Sequence, residues 1–529
     1  MKKSLRKGIA ILSLLLAALL LFACTATDKT TEETTAAETP QSFSTVPENP
    51  NGSGQPTDGF PGEPPEGFPS EPPEGMGEPP EGFPGEMGEP PQGGPDGQPP
   101  QGGPGGQPPQ GGPGGMPGGP GGSSADLSYS GAAEITSGTT QEDQTYASTT
   151  ADESALLIST GDAVTITNPT VTKSGDSNGG DNCNFYGLNA AVLCKDGANV
   201  TITGGTITTS AFGANGVFSY GGNGGRNGAA GDGTTVTIRD SVITTTGGGS
   251  GGIMTTGGGT TYAYDLTVTT SGQSSAPIRT DRGGGTVYVD GGVYTSNGLG
   301  SPAIYSTADI RVKNATLVSN LSEGVCIEGK NSIELVDCDL TANNTKCNGN
   351  ATFFDSIMIY QSMSGDADSG TSSFTMTRGT LTGKNGHMFH VTNTNAIINL
   401  SGVDLVNEDS ANVLLSVCAD GWSGAGNVAT LNATAQTLSG MILVGSDSTL
   451  TLNLADGSAF TGAISGTITN AKGATVSTEV GTANVTIDGT STWTLTADTY
   501  ITSFSGDASR VVSNGYTLYV NGAALSGTN

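Results

Sequence analysis

The sequence predicts an all-β protein: a right-handed parallel β-helix solenoid with a C-terminal cap, preceded by a disordered Pro/Gly-rich tether. Three observations carry that expectation. Glycine supplies 85 of 529 residues and charged residues only 13%. That composition disfavours long helices, because glycine loses the most backbone entropy there and threonine loses rotamer freedom. From about residue 125 onward a short apolar pattern recurs with turn residues at a fixed place, and before residue 122 proline and glycine take its place.

In chain order, Lys2, Lys3, Arg6 and Lys7 form a positive start to the mostly apolar run Ile9 to Phe22. That run has the length of a signal-peptide core and is short for a membrane-spanning helix. It ends in Leu21-Phe22-Ala23-Cys24, which resembles a bacterial lipobox. The resemblance implies a lipoprotein signal peptide over 1–23, lipidation at Cys24, and attachment to the extracellular face of the cell membrane. Residues 24–122 run from Thr/Glu-rich sequence into EPPEGFP and GGQPPQGGPGG repeats. Proline removes backbone donors and glycine removes stiffness, so neither helix nor sheet is expected. If fully extended, the roughly 80 Pro/Gly-rich residues reach about 250 Å at about 3.1 Å per residue, enough to project the rest into or through a cell wall.

The segment 123–475 is expected to be the β-helix. Its repeat is an apolar residue, a turn residue two positions on, and a second apolar residue five positions after the first. The pairs are Ile166/Val171, Ile202/Ile207, Ile238/Ile243, Val289/Tyr294, Val312/Leu317, Leu335/Leu340, Met376/Leu381 and Leu400/Leu405. The turn positions are Asn168, Gly204, Asp240, Gly291, Asn314, Asp337, Arg378 and Gly402. All but Arg378 are types that tolerate a left-handed backbone, so two short strands meet at a sharp corner each time. Alternation such as Val200-Thr201-Ile202-Thr203 puts apolar side chains inside and threonines outside. One such coil cannot bury its own apolar face, whereas a stack of coils can. Residues 476–529 break the pattern, carry Trp493, and are expected to cap the end, where strand edges would otherwise lie open.

The segments PIRTDRGGGTVYVDGGVYTSNGLGSPAIYSTADI and GVCIEGKNSIELVDCDL resemble right-handed parallel β-helix proteins of the pectin-lyase-like superfamily. In particular they resemble surface β-helix proteins of Gram-positive bacteria. The resemblance covers about residues 125–475. Members of this superfamily often cleave acidic polysaccharides, but the Asn-Thr-Asp, Asp-Asp and Gly-His-Gly runs of polygalacturonases are not found here, nor is a clear carboxylate cluster for calcium. Asp366 and Asp368 in GDADSG have some character of a calcium loop but lack its later ligands. No catalytic residue, metal site or cofactor is therefore assigned.

A candidate binding groove follows from register. Aligning the first strand of successive coils on Ile253, Ile278, Ile304, Val325, Ile357 and about Met388 turns Arg279, Asp281, Tyr305, Glu328 and Tyr360 outward as one polar ladder, with coils about 4.8 Å apart. Arg282 and Lys330 lie just past the strands, and Lys and Arg together number only 19. Tyrosine faces and forked arginine donors beside acids suit a sugar polymer. Six cysteines remain beyond Cys24: Cys183, Cys194, Cys326, Cys338, Cys347 and Cys418. Their even number permits disulfides in an exported domain, while burial as small core residues is the plainer expectation.

A formal net charge of −30 repels phosphate backbones, so nucleic acid is an unfavourable partner. The expected function is that of a lipid-anchored, adhesin-like β-helix that binds extracellular glycan or another surface without catalysis. A polysaccharide lyase or glycoside hydrolase acting in the same groove is the alternative, and a purely structural stalk is the third.

Overall fold

The computed structural model describes residues 127–529 apart from 178, 225–229, 348 and 423–425. The expected signal peptide, Cys24, the expected tether over 24–122 and the first residues of the expected β-helix segment lie outside the described residues. What is described falls within one compact unit.

Threonine, valine and isoleucine suit a pleated, half-buried surface, and here they form short parallel strands wound into coils. One coil contains Val192–Lys195, Asn199–Thr203 and Thr206–Thr209. Its successor stacks Val217–Tyr220, Thr235–Arg239 and Val242–Thr245 on those three in parallel register. Continued stacking builds a first sheet of 15 strands and a second of 22. The second sheet bends at each corner, so a coil has three faces.

The corners lie where the repeat puts them. Asn168, Gly204, Asp240, Gly291, Asn314, Asp337, Arg378 and Gly402 all have positive φ, between 49° and 75°. The corner amides of Asn168, Gly204, Asp240, Gly291 and Asn314 are held by the neighbouring coil: Asn168 N donates to Thr203 O at 2.8 Å, Gly204 N to Arg239 O at 2.9 Å, and Asn314 N to Val336 O at 3.0 Å. Arg378, the atypical corner residue, is tied by its guanidinium to both oxygens of Asp337 in the coil before, at 2.6 Å each. That pairing offsets part of the cost of a left-handed arginine. At Gly291 a side chain is excluded outright, since a Cβ would lie 2.1 Å from the Asp265 carboxylate stacked beside it.

Inside, the leading apolar residues form an unbroken column. Ile166, Ile202, Ile238, Ala263, Val289, Val312, Leu335, Met376 and Leu400 are register partners in successive coils, and each is at most 2% exposed. Burying a side chain of the Val, Leu or Ile kind stabilises by about 1.5–3 kcal/mol, so a stacked column supplies what one coil lacks. Outside, the second sheet carries a ladder of Thr172, Thr208, Thr244, Thr269, Thr295, Val318, Thr341 and Thr382.

In the first sheet, Ile253, Ile278, Ile304, Val325 and Ile357 align as expected, but their sixth partner is Phe389 rather than Met388. Both residues are buried in the core, so apolar character at 388 did not fix the phase. Parallel pairing runs on past residue 475 through Thr482–Ile487 and Thr492–Leu495. The sheets then end in the short strands Ser503–Ser505 and Val511–Val512. A three-stranded sheet of Thr499–Ile501, Leu518–Val520 and Ala523–Ala524 adjoins them.

Candidate functional site

Two outward columns of the first sheet hold the site. Arg279, Tyr305, Cys326, Met358 and His390 are register partners in one, and Glu328, Tyr360 and Thr392 in the other. Asp281 follows directly on the strand Ile278–Thr280. Strand alternation points these side chains away from the core, and segments inserted between strands then fold over them. The short helix Asp181–Tyr186 contributes Asn184 and Phe185. The loop 361–370, which contains the GDADSG stretch, contributes Ser362, Ser364, Asp366 and Asp368.

Under that cover the predicted residues meet. Arg279 Nη2 donates to Asp281 Oδ2 at 2.8 Å, and Nη1 donates to Asn184 Oδ1 at 3.2 Å and Ser274 O at 2.9 Å. Its guanidinium carbon lies 5.8 Å from the Tyr305 ring centre. Glu328 accepts from four hydroxyls: Tyr305 at 2.5 Å, Tyr360 at 3.1 Å, Ser362, and Ser364 at 3.4 Å. Glu328 and Tyr360 are each 2% exposed, Asp281 5% and Arg279 9%. The expected ladder is therefore a covered cluster and not an open face. Arg282 lies at its rim, bonded to Asp366 Oδ1 through Nη2 at 2.5 Å and Nε at 3.1 Å, with its guanidinium 4.2 Å from the Phe185 ring centre. Lys330 stands apart from the five. It is half in solvent and paired with Asp368 at 2.9 Å.

Burial sets the electrostatics. It pushes the Asp281 carboxyl up to about 7, outweighing the opposing pull of Arg279. Burial also raises Glu328 against the hydroxyls that favour its charged form. The Tyr305 and Tyr360 phenols rise well above their ordinary value, through burial first and then the facing Glu328 charge. Both tyrosines thus stay protonated and serve as donors. A recess beside them, bordered by Glu323, Cys326, Met358 and Trp422, has free space of about 20 Å³, room for about one water molecule.

Sequence reasoning did not find a second buried group in the next coils. Ser416 Oγ lies 2.7 Å from both His387 Nδ1 and His390 Nδ1, and His390 Nε2 lies 3.4 Å from Asp420 Oδ2. A hydroxyl has one proton, so one of the two imidazoles donates to Ser416 while the other accepts from it. Glu323 and Asp355 are buried nearby, and Asp355 feels both Glu323 and Asp420. Ser416, His390 and Asp420 follow the order of nucleophile, base and acid, but the Ser416 and His390 side chains have no exposure. Phe353 packs 4.8 Å from His390. Burial drops the His387 imidazole to about 3, leaving it neutral. Among the described residues the arrangement is a packed, buried polar network. The available signal was the pair of histidines three residues apart, the only two in the chain. Among the described residues no three His, Cys, Asp or Glu side chains are placed to hold a metal ion. Cys183, Cys194, Cys326, Cys338, Cys347 and Cys418 are all free thiols, and burial pushes Cys183 up to about 11 and Cys194 up to about 12.

Comparison with protein-family models, with curated proteins and with solved structures returns no match to this chain.

Proposed function

We propose that this chain is a lipid-anchored β-helix protein of a bacterial surface that binds extracellular glycan without turning it over, and that its relatives are the pectin-lyase-like surface β-helices it resembles. The observation that carries this reading is the rim of the covered cluster. Segments about 180 residues apart in sequence, the helix Asp181–Tyr186 and the loop 361–370, converge on Arg282 and its partner Asp366. A plain solenoid needs no such construction. The buried Arg279–Asp281 and Glu328–tyrosine pairs support it from below. Arg282 and Lys330 then supply donors to a polymer lying across the coils, whose spacing of about 4.8 Å suits a periodic ligand. The polar atoms beneath are occupied by one another, which favours binding over catalysis.

The test is a polysaccharide array probed with the wild-type protein and with an Arg282→Ala, Lys330→Ala double variant. Losing charged hydrogen bonds at a rim costs about 1.5–3 kcal/mol each, so affinity is expected to fall at least tenfold with the thermal midpoint preserved. Unchanged affinity overturns the reading. Release of oligosaccharide products by wild type would favour the lyase or hydrolase alternative instead. Anchoring is tested separately. Cys24→Ser is expected to shed the protein into the medium or leave it unprocessed, and normal processing with full membrane retention contradicts lipidation.

A further inference from the structure

A second recess lies elsewhere, at the N-terminal end of the first sheet. It encloses about 290 Å³ and is lined by Tyr129, Glu134, Thr136, Leu157, Ser159 and Lys195. Ligand pockets begin at roughly 300 Å³, so this one suits a ligand of monosaccharide size. Register explains how it is built. Glu134 pairs with Leu157, and Ser159 with Lys195, so the recess belongs to the first described coils of the same outward face that later carries Arg279 and Glu328.

Its walls divide by chemistry. Leu157 is a buried apolar side chain. The Tyr129 ring is fixed by its hydroxyl, which donates to Tyr186 O at 3.1 Å. Burial keeps that phenol protonated by raising it above its ordinary value. Lys195 Nζ sits 5.0 Å from the Tyr129 ring centre and 2.5 Å from Asp196 Oδ2, which also accepts from Ser159. Glu134 accepts from Gly131 N at 3.1 Å on the opposite rim. An apolar ring face beside hydroxyl, ammonium and carboxylate groups matches a pyranose, which presents C–H bonds on one face and hydroxyls around its edge. The local charge decides between sugars. Asp196 neutralises Lys195, and Glu134 leaves the recess net negative, which disfavours uronates and sulfated sugars.

We propose that this recess is a binding subsite for one neutral pyranose residue. The proposal shares the glycan class with the function given above but not the residues. It is tested on the mature full-length chain by calorimetry and saturation-transfer NMR with methyl glycosides of glucose, galactose, mannose and N-acetylglucosamine, and with glucuronic acid as the anionic control. At least one neutral glycoside is expected to bind, glucuronic acid to bind at least tenfold more weakly, and Glu134→Gln and Lys195→Met each to weaken binding about tenfold. Both substitutions lie at the rim, so unchanged thermal midpoints establish that the variants are folded. Arg282→Ala is expected to leave glycoside binding unchanged. Equal binding by the folded recess variants, or preference for glucuronic acid, overturns the proposal. If no glycoside binds while the polysaccharide array is still positive and sensitive to Arg282, the recess proposal falls alone. If the array is also blank, both fall.

Discussion

Asp355 is 1% exposed, and neither of its carboxylate oxygens has a hydrogen-bond partner among the described residues. Burial first, then the nearby charges of Glu323 and Asp420, raises its carboxyl well above the ordinary value. Glu323 and Glu328 are raised by burial too, and Asp281 reaches about 7. A carboxyl whose folded value exceeds its unfolded one binds more protons in the native state. Its stabilising contribution is complete below the unfolded value near 4 and is lost as pH rises through the folded value. His387, lowered to about 3, acts in the opposite sense, and its contribution is lost as pH falls from about 6.5 to 3. Between pH 5 and 8 the raised carboxyls, Asp181 among them, outweigh the one depressed imidazole. Carboxyls held low, such as Asp420 and Asp488, act only at lower pH, so the thermal midpoint is expected to be higher at pH 5 than at pH 8. The strong negative charge of the whole chain pushes the same way, so a neutral isostere isolates the buried group. Asp355→Asn is expected to raise the midpoint at pH 8 by about 1 °C for each kcal/mol gained, the shift that applies to a unit of about 400 residues at about 2.1 cal/mol/K per residue, and to change it little at pH 5. Equal shifts at both pH values would show that Asp355 is ionised in the folded protein.

A single corner is the element that repeats, and its geometry was readable where both flanking residues are large and apolar. Some corners escaped for a specific reason. Asp265 has φ 49° between Ala263 and Val268, and Asp143 has φ 54° between Gln141 and Tyr146. The spacing is the same, but the leading position holds an alanine or a glutamine and gives no apolar signal. The outward columns were also readable, since strand period two assigns them once the register is known. Their cover was not. The segments carrying Phe185, Phe353, Asp366 and Trp422 have no period, and their place is set by tertiary contacts such as Trp422 on Tyr360 at 4.9 Å. Register therefore placed Arg279, Asp281, Tyr305, Glu328 and Tyr360 on one face, but it showed neither the lid of inserted chain above them nor that Lys330 stands apart. The corner itself can be tested at Asn314, where φ is 57° and Nδ2 donates to Asp290 Oδ1 at 2.7 Å. A β-branched residue is poorly tolerated at that φ, so Asn314→Val should cost roughly 1–3 kcal/mol, while Asn314→Gly should lose much less. Calorimetry decides, and a valine variant as stable as the glycine variant would remove backbone strain from the explanation.

For the molecule as a whole, the difficulty of a solenoid is its ends, because each sheet finishes in a row of unpaired backbone groups that invites another chain. At the C-terminal end the strands shorten from six and four residues in Thr482–Ile487 and Thr492–Leu495 to three and two in Ser503–Ser505 and Val511–Val512. A short edge offers little to pair with. The same closing segment covers the last layer of core: Trp493 is fully buried, stacks on Phe460 at 5.6 Å, donates to Gly462 O at 3.0 Å and pairs in register with Val511. Deleting residues 498–529 removes both short strands and the adjoining three-stranded sheet. It leaves Thr482–Ile487 as a six-residue edge and uncovers Val485, Ile487 and Trp493. The truncated protein is expected to self-associate with increasing concentration in size-exclusion chromatography with light scattering. Its tryptophan emission should shift to the red, since Trp493 is one of only two tryptophans in the chain. A truncated chain that stays monomeric with unshifted emission would mean that the preceding coil closes the stack by itself, and that the segment 498–529 serves something other than the protection of the edge.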